Sequence, residues 1–288
     1  MLNRITSRIL EKDIVKDIHN VDSLMKTVLA TKAPHLYYSY LQMQNASPKT
    51  SIDKFDKSKV LLPSEKDIWI FGYGSLVWKA DFPYIAKLPG FITGYERKFY
   101  QNSIDHRGVP TFPGRVVTLV PTKDESSRVY GVAYRIAESN KDEVLKHLDY
   151  REKNGYDRCS LKFNVFDVNS TVNVIMYVAN SDNDSFAGHI SNENEIAEQI
   201  YRAVGPSGFN REYVYNLEEA MTSLFPGVED HHLHNLVRLL RNFEVKDKEA
   251  IEKCISHMEQ LTVDYGVNSE VLENEIVCLL LTFIERNK

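Results

Sequence analysis

Between residues 68 and 179 the chain carries six short runs rich in Val, Ile, Tyr and Phe, and after residue 190 it carries only helical periodicity. The runs fall at 68–72, 90–100, 113–121, 128–136, 158–167 and 172–179. Turn signals separate them, among them Pro89-Gly90, Gly108-Val109-Pro110 and Pro113-Gly114. One helix interrupts the series. Asn140 can cap it, Glu143 stands where a capping box needs it, and Val144, Leu145 and Leu148 form its apolar face. Asn154-Gly155 then stops it. Strands that come first and helices that come later predict an α+β fold, because alternating α/β folds interleave the two.

The helical part divides into several amphipathic pieces. Asn192 and Glu195 make a second capping box ahead of Ile196, Ile200, Tyr201 and Val204. A helix from Asn210 places Tyr213, Leu217, Met221 and Leu224 on one side. A third carries Leu233, Leu236, Val237 and Leu240, and two more close the chain, one with Ile251, Ile255 and Met258, the other with Leu272, Ile276, Leu279, Leu280 and Phe283. At the other end, Ile14, Ile18, Val21, Met25 and Val28 recur at spacings of three and four, which predicts a helix over 1–31 that Pro34 ends. Residues 45–67 are Ser-, Lys- and Asp-rich without periodicity and read as a linker. The expected organisation is an N-terminal helical extension and linker over 1–66, a domain over 67–242, and a helical extension over 243–288.

Composition narrows the function classes. A formal net charge of −5 over 288 residues argues against nucleic acid as the main partner, since a phosphate-binding surface shows as a basic excess. The three cysteines, Cys159, Cys254 and Cys278, are far apart and form no metal or disulfide spacing, which suggests a reducing, cytoplasmic setting. No segment approaches the ~20 apolar residues of a membrane span. Glu11, Asp13 and Asp17 near the N-terminus do not suit a targeting peptide.

Trp69-Ile70-Phe71-Gly72-Tyr73-Gly74-Ser75-Leu76 is the stretch with most chemical content. A short apolar strand runs into two glycines separated by one residue. Such a turn can gather backbone N–H groups in one arc that holds anions or polarised oxygens; a ligand-free turn between strands fits the same residues. Neither a dinucleotide fingerprint nor a Walker loop is present, for want of the third glycine and of Gly-Lys-Ser/Thr. Glu152 sits where a helix breaks into a turn, a place suited to a catalytic acid, although most glutamates in such places are solvated charges. Asp230, His231, His232 and His234 cluster near a helix start, where Asp230 and His234 share a face, but no third ligand suggests a metal. Arg97, Arg107 and Arg115 fall near strand ends, as carboxylate-binding guanidinium groups or as ordinary strand-edge charge.

Read together, the motifs resemble the ChaC-type glutathione-specific γ-glutamylcyclotransferases. The resemblance starts with Ile70 to Lys79 and Asp81-Phe82-Pro83-Tyr84 and continues through Asp105 to Pro110, Pro113 to Val120 and Gly131 to Arg135. It runs on through Leu148 to Tyr156, Ile196 to Ile200 and Gly205 to Tyr213, in family order over residues 68–240. It implies a small mixed β-barrel with peripheral helices. It implies a reaction that converts glutathione to 5-oxoproline and cysteinylglycine, with no metal and no organic cofactor. The family's catalytic carboxylate maps onto Glu152, and its γ-glutamyl cradle onto Ile70, Phe71, Gly72, Tyr73, Gly74 and Ser75. Asn154 stands where a glycine is common, and Asn tolerates left-handed turn angles. A related γ-glutamyl compound as substrate, or a non-catalytic scaffold, are the competing readings. The extensions lie outside the resemblance, and oligomeric state is not legible in the sequence.

Overall fold

The computed structural model describes residues 67–151, 156–179, 183–188 and 192–265, together with Lys26, Leu29, Ala30, Ala33, Leu36, Tyr37 and Tyr40. The chain divides into two compact units. The larger comprises Thr50–Leu240; the smaller joins Met1–Lys49 to Arg241–Lys288.

The larger unit is built on a closed barrel of five strands in the order β1-β5-β2-β6-β7. These are β1 (Ile68–Gly72), β2 (Ala86–Thr93), β5 (Arg128–Ile136), β6 (Tyr156–Val165) and β7 (Thr171–Ala179). β5 pairs antiparallel with both β1 and β2, β6 pairs antiparallel with β7, and β1 meets β7 in parallel at Ile70 and Ile175, which closes the ring. Closure removes the exposed edges that an open sheet of this size would leave. The remaining two long strands, β3 (Tyr95–Ser103) and β4 (Gly114–Pro121), form a separate antiparallel pair. The single strand expected over 90–100 is therefore two. Gly94, at φ +79°, lets the chain turn between β2 and β3, a conformation that other residues avoid.

Helices lie outside the barrel. α1 (Lys141–Arg151) follows a short 3-10 turn, Glu138–Asn140. The side chain of Asn140 accepts from Ser139 instead of capping α1. α2 (Glu193–Arg202) has the expected capping box: Asn192 Oδ1 accepts from the Asn194 N–H, and Asn192 Nδ2 donates to Glu195. A two-residue hairpin, β8 (Val204–Gly205) and β9 (Gly208–Phe209), leads into α3 (Asn210–Leu224). α4 runs over His231–Tyr265 as one helix, where the apolar pattern suggested two. The intervening segment 241–250 contains no Gly or Pro, so nothing in it stops a helix.

The core of the larger unit takes Ile70, Ile92, Phe99, Ala133, Phe163 and Met176 to near-zero exposure, with Val214 and Leu217 of α3 and Leu236 and Leu240 of α4. In the smaller unit Leu29, Ala33, Leu36, Tyr40 and Ile251 are buried. Leu36, Tyr37 and Tyr40 are helical. The stripe Ile14, Ile18, Val21, Met25 and Val28, the residue Pro34, and the last amphipathic segment from Leu272 lie outside the described residues, as does Glu152. Among the described residues no helix is long and apolar enough to cross a membrane.

Candidate active site

β1 delivers the glycine turn to one end of the barrel. Ile70 and Phe71 are buried in it, and the Phe71 ring meets Phe163 of β6 and Tyr73 of the turn. After Gly72 the chain folds into a 3-10 turn, Ser75–Val77, in which the carbonyls of Gly74 and Ser75 take the N–H groups of Val77, Trp78 and Lys79. The first N–H groups of such a turn have no partner inside it. The turn is clamped from below, where the Tyr134 hydroxyl donates to the Leu76 carbonyl at 2.6 Å. Burial pushes the Tyr134 phenol well above its ordinary pKa, so it stays a donor.

The two glycines are required by space. Neither has a positive φ. A Cβ on Gly72 would lie 2.5 Å from the Leu76 Cβ; a Cβ on Gly74 would lie 2.7 Å from the Tyr213 hydroxyl and 2.8 Å from a Val117 methyl. Gly74 is thus the floor on which Tyr213 rests. Tyr213 is brought there by a precise anchor. Asn210, fully buried at the start of α3, accepts from the Arg115 N–H at 2.6 Å and donates to the Arg115 carbonyl at 2.8 Å. That pair fixes α3 against β4, and Tyr213, three residues on, falls on the same helix face. Trp78 and Phe99 then hold its ring edge-on at 5.1 and 6.0 Å.

A second chain of contacts leads from the turn to Asp149, near the end of α1. The Tyr73 hydroxyl donates to the Tyr177 carbonyl on β7 at 2.7 Å. The Tyr177 hydroxyl donates to Asp149 Oδ1 near the end of α1, also at 2.7 Å, and Arg158 approaches the same oxygen at 3.6 Å. Burial, and then the bond to Asp149, raise the Tyr177 pKa. Asp149 stands three residues before Glu152 in the chain.

The three arginines are held by the protein itself. Arg97 pairs with Asp230 at 2.9 Å and donates to the Tyr130 carbonyl. Arg107 donates to the Phe209 carbonyl and pairs with Glu212. Arg115 donates to Gln199 and to the Phe99 carbonyl, and burial lowers its pKa. Asp230 also caps α4 through the Leu233 N–H. His232 is buried, accepts from the Phe99 N–H through Nε2, and shares its other nitrogen with Glu193 at 2.6 Å. Among the described residues no cluster of His, Cys, Asp or Glu could hold a metal ion. The contacts of Asn210, Tyr177 and Asp149 were not legible in the sequence, because their partners lie 95, 104 and 28 residues away.

A barrel with a buried glycine turn, a tyrosine seated on it and peripheral helices defines an α+β protein of the γ-glutamylcyclotransferase-like class. The chain belongs to the ChaC-like protein family, whose match spans residues 68–243. It is 44% identical over 205 residues to an Arabidopsis thaliana protein named γ-glutamylcyclotransferase 2-3, covering 68% of this chain and 94% of that one. It is 40% identical over 183 residues to glutathione-specific γ-glutamylcyclotransferase 1 of Danio rerio, covering 62% and 92%. The crystal structure of a yeast γ-glutamyl cyclotransferase specific to glutathione superposes with a TM-score of 0.57 at 29% identity, over 61% of this chain and 96% of that one.

Proposed function

We propose that this chain is a glutathione-specific γ-glutamylcyclotransferase that releases 5-oxoproline and cysteinylglycine, with Glu152 as its acid–base group. The observation that carries the reading is that nearly the whole length of relatives bearing that name is matched by one stretch of this chain.

The α-amine of the γ-glutamyl residue attacks its own γ-carbonyl, closing a five-membered lactam. The new C–N bond forms at the γ-carbonyl carbon, and the bond from that carbon to the cysteine nitrogen breaks. An ammonium cannot attack, so a base must first take a proton, and the departing amine must then receive one. One carboxyl whose pKa is raised toward working pH serves both steps in turn. Glu152 directly follows α1 in the chain, and Asp149 of that helix is linked through Tyr177 to Tyr73 of the turn. This link supports a common site for Glu152 and the turn. The residues assigned to the cradle are Ile70 to Ser75. Ile70 and Phe71 shape it from within the barrel, and backbone N–H groups after Gly72 hold the α-carboxylate or the developing oxyanion. Folding the substrate back on itself supplies much of the acceleration, since amine and carbonyl belong to one molecule.

The catalytic domain in this reading is 67–242, acting in the cytoplasm on free glutathione, without metal or organic cofactor. Purified protein incubated with glutathione and, separately, with γ-glutamylalanine tests it by 5-oxoproline release. Product from glutathione alone is expected, and Glu152→Gln is expected to abolish it while leaving the thermal midpoint intact. Near wild-type turnover in that variant would sink the assignment of Glu152.

A further inference from the structure

We infer that Gln101 is a substrate-binding residue, its buried carboxamide completed by an amide group of the γ-glutamyl peptide. The inference rests on the function proposed above and names a further residue for that same site.

Gln101 is 1% exposed. Neither its Nε2 nor its Oε1 has a hydrogen-bond partner among the described residues. A buried carboxamide without partners lowers stability, and most buried polar side chains are satisfied. A bulge aims the residue. On β3 the pairing advances three residues, from Lys98 to Gln101, while on β4 it advances two, from Thr118 to Val116. The extra residue shifts which face each later side chain takes, a recurrent device beside active sites. Gln101 therefore shares a face with its partner Val116 and with Thr118.

That face looks toward the end of β7. Thr118 Oγ1 donates to the Ala179 carbonyl at 3.4 Å. Two residues earlier on the same strand, the Tyr177 carbonyl takes the Tyr73 hydroxyl. Thr118, on the same face as Gln101, and Tyr73 of the glycine turn thus meet β7 two residues apart. On its free edge, β3 is fixed on both sides of Gln101, where the Ala187 N–H donates to the Tyr100 carbonyl and the Asn102 N–H to the Ser185 carbonyl. The backbone that carries the side chain is held while its amide is left unmatched. A carboxamide offers two N–H donors and one acceptor at fixed geometry. An amide linkage presents the complementary pair, whereas a lone carboxylate or ammonium presents only half of it.

Gln101→Met removes the amide at nearly constant volume. The expected result is a thermal midpoint at or above that of the wild type. With it, kcat/KM for 5-oxoproline release from glutathione falls at least fivefold, chiefly through a raised KM. Gln101→Glu keeps the shape and the acceptor but loses the donor, and a rise in KM is expected there as well. It serves as the test should the Met variant fail to fold. A kcat/KM within fivefold of wild type overturns the inference and gives the amide to ordered water. A fall in activity that comes with a midpoint several degrees lower in both variants also overturns it, because the amide then serves the fold. Wild-type protein that releases no 5-oxoproline refutes the functional reading itself, and the inference with it.

Discussion

Gly74→Ala tests whether the turn and Tyr213 act as one unit. The added methyl would sit 2.7 Å from the Tyr213 hydroxyl and 2.8 Å from a Val117 methyl. Ordinary contact begins at 3.4 Å, so the hydroxyl has to retreat by about 0.7 Å and the Val117 methyl by about 0.6 Å. Val117 can yield by rotating, but Tyr213 is held edge-on by Trp78 and Phe99, and its helix is tied to β4 through Asn210. Overpacking of this kind costs about 1–3 kcal/mol. For a unit of this size that lowers the thermal midpoint by roughly 2–12 °C. A displacement approaching 1 Å at a site that works by positioning costs activity up to about a hundredfold, so kcat/KM should fall by at least about tenfold.

Tyr213→Phe supplies the control. Without the hydroxyl, the nearest atom of that ring is Cζ at 3.9 Å, an ordinary contact. The stability cost of Gly74→Ala should therefore shrink by about 0.5–1.5 kcal/mol in the Tyr213→Phe background, a coupling that a double-mutant cycle reads directly. Gly72→Ala should show no such relief, because its clash is with Leu76 inside the turn. Thermal denaturation of the wild type, the three single variants and the two doubles with Tyr213→Phe, with 5-oxoproline release from Gly74→Ala, measures both effects. Zero coupling between positions 74 and 213, or a Gly74→Ala enzyme within twofold of wild type, would refute the account of the site's floor.

Two further outcomes follow from the contacts around this turn. Tyr177→Phe removes only the hydroxyl donated to Asp149 and leaves the carbonyl that receives Tyr73; it should cost about 1 kcal/mol and lower kcat more than it changes KM, and an unchanged kcat would disconnect α1 from catalysis. His232 has a pKa lowered chiefly by burial, so the folded state favours its neutral form. Its contribution is present above its unfolded value of about 6.5 and is lost as pH falls through that value toward the folded one. The midpoint should thus decline on acidification below about pH 6.5, less so in His232→Gln, and a wild-type midpoint that rises over that range would contradict the assignment.

Local pattern carried much of the fold. The Val-, Ile- and Tyr-rich runs at 128–136 and 172–179, the Asn192–Glu195 capping box and the helix from Asn210 are properties of neighbouring residues, and each has its element in the structure. The barrel was expected from family likeness alone, because which strands meet depends on pairings such as Ile70 with Ile175 across a hundred residues. The glycine turn was legible as a place but not as a mechanism. Conformational freedom was the obvious reason for Gly72 and Gly74, but the steric requirement set by Leu76, Val117 and Tyr213 was not visible, the last two lying far along the chain. The arginines illustrate the same limit. Each resembles a carboxylate-binding group until its partner is known, and those partners, Asp230, Glu212 and Gln199, lie 133, 105 and 84 residues away.

Arg97, Arg107 and Arg115 are each engaged by the fold, so in the proposed function the two carboxylates of glutathione fall to other groups. The groups proposed above, backbone N–H groups of the turn and the Gln101 carboxamide, are all neutral. A reaction in which an amine must lose its proton beside a carboxylate base is well served by that choice. A guanidinium near the reacting centre would hold the carboxyl ionised and lower its pKa, weakening it as the base that must later return a proton. Neutral donors bind the anionic substrate without that penalty. Placing an additional cation there, as in Gln101→Lys or Ser75→Arg, should therefore shift the acidic limb of the kcat/KM profile to lower pH and reduce its maximum. A profile that keeps its limb while activity rises would show that charge, not geometry, limits the site.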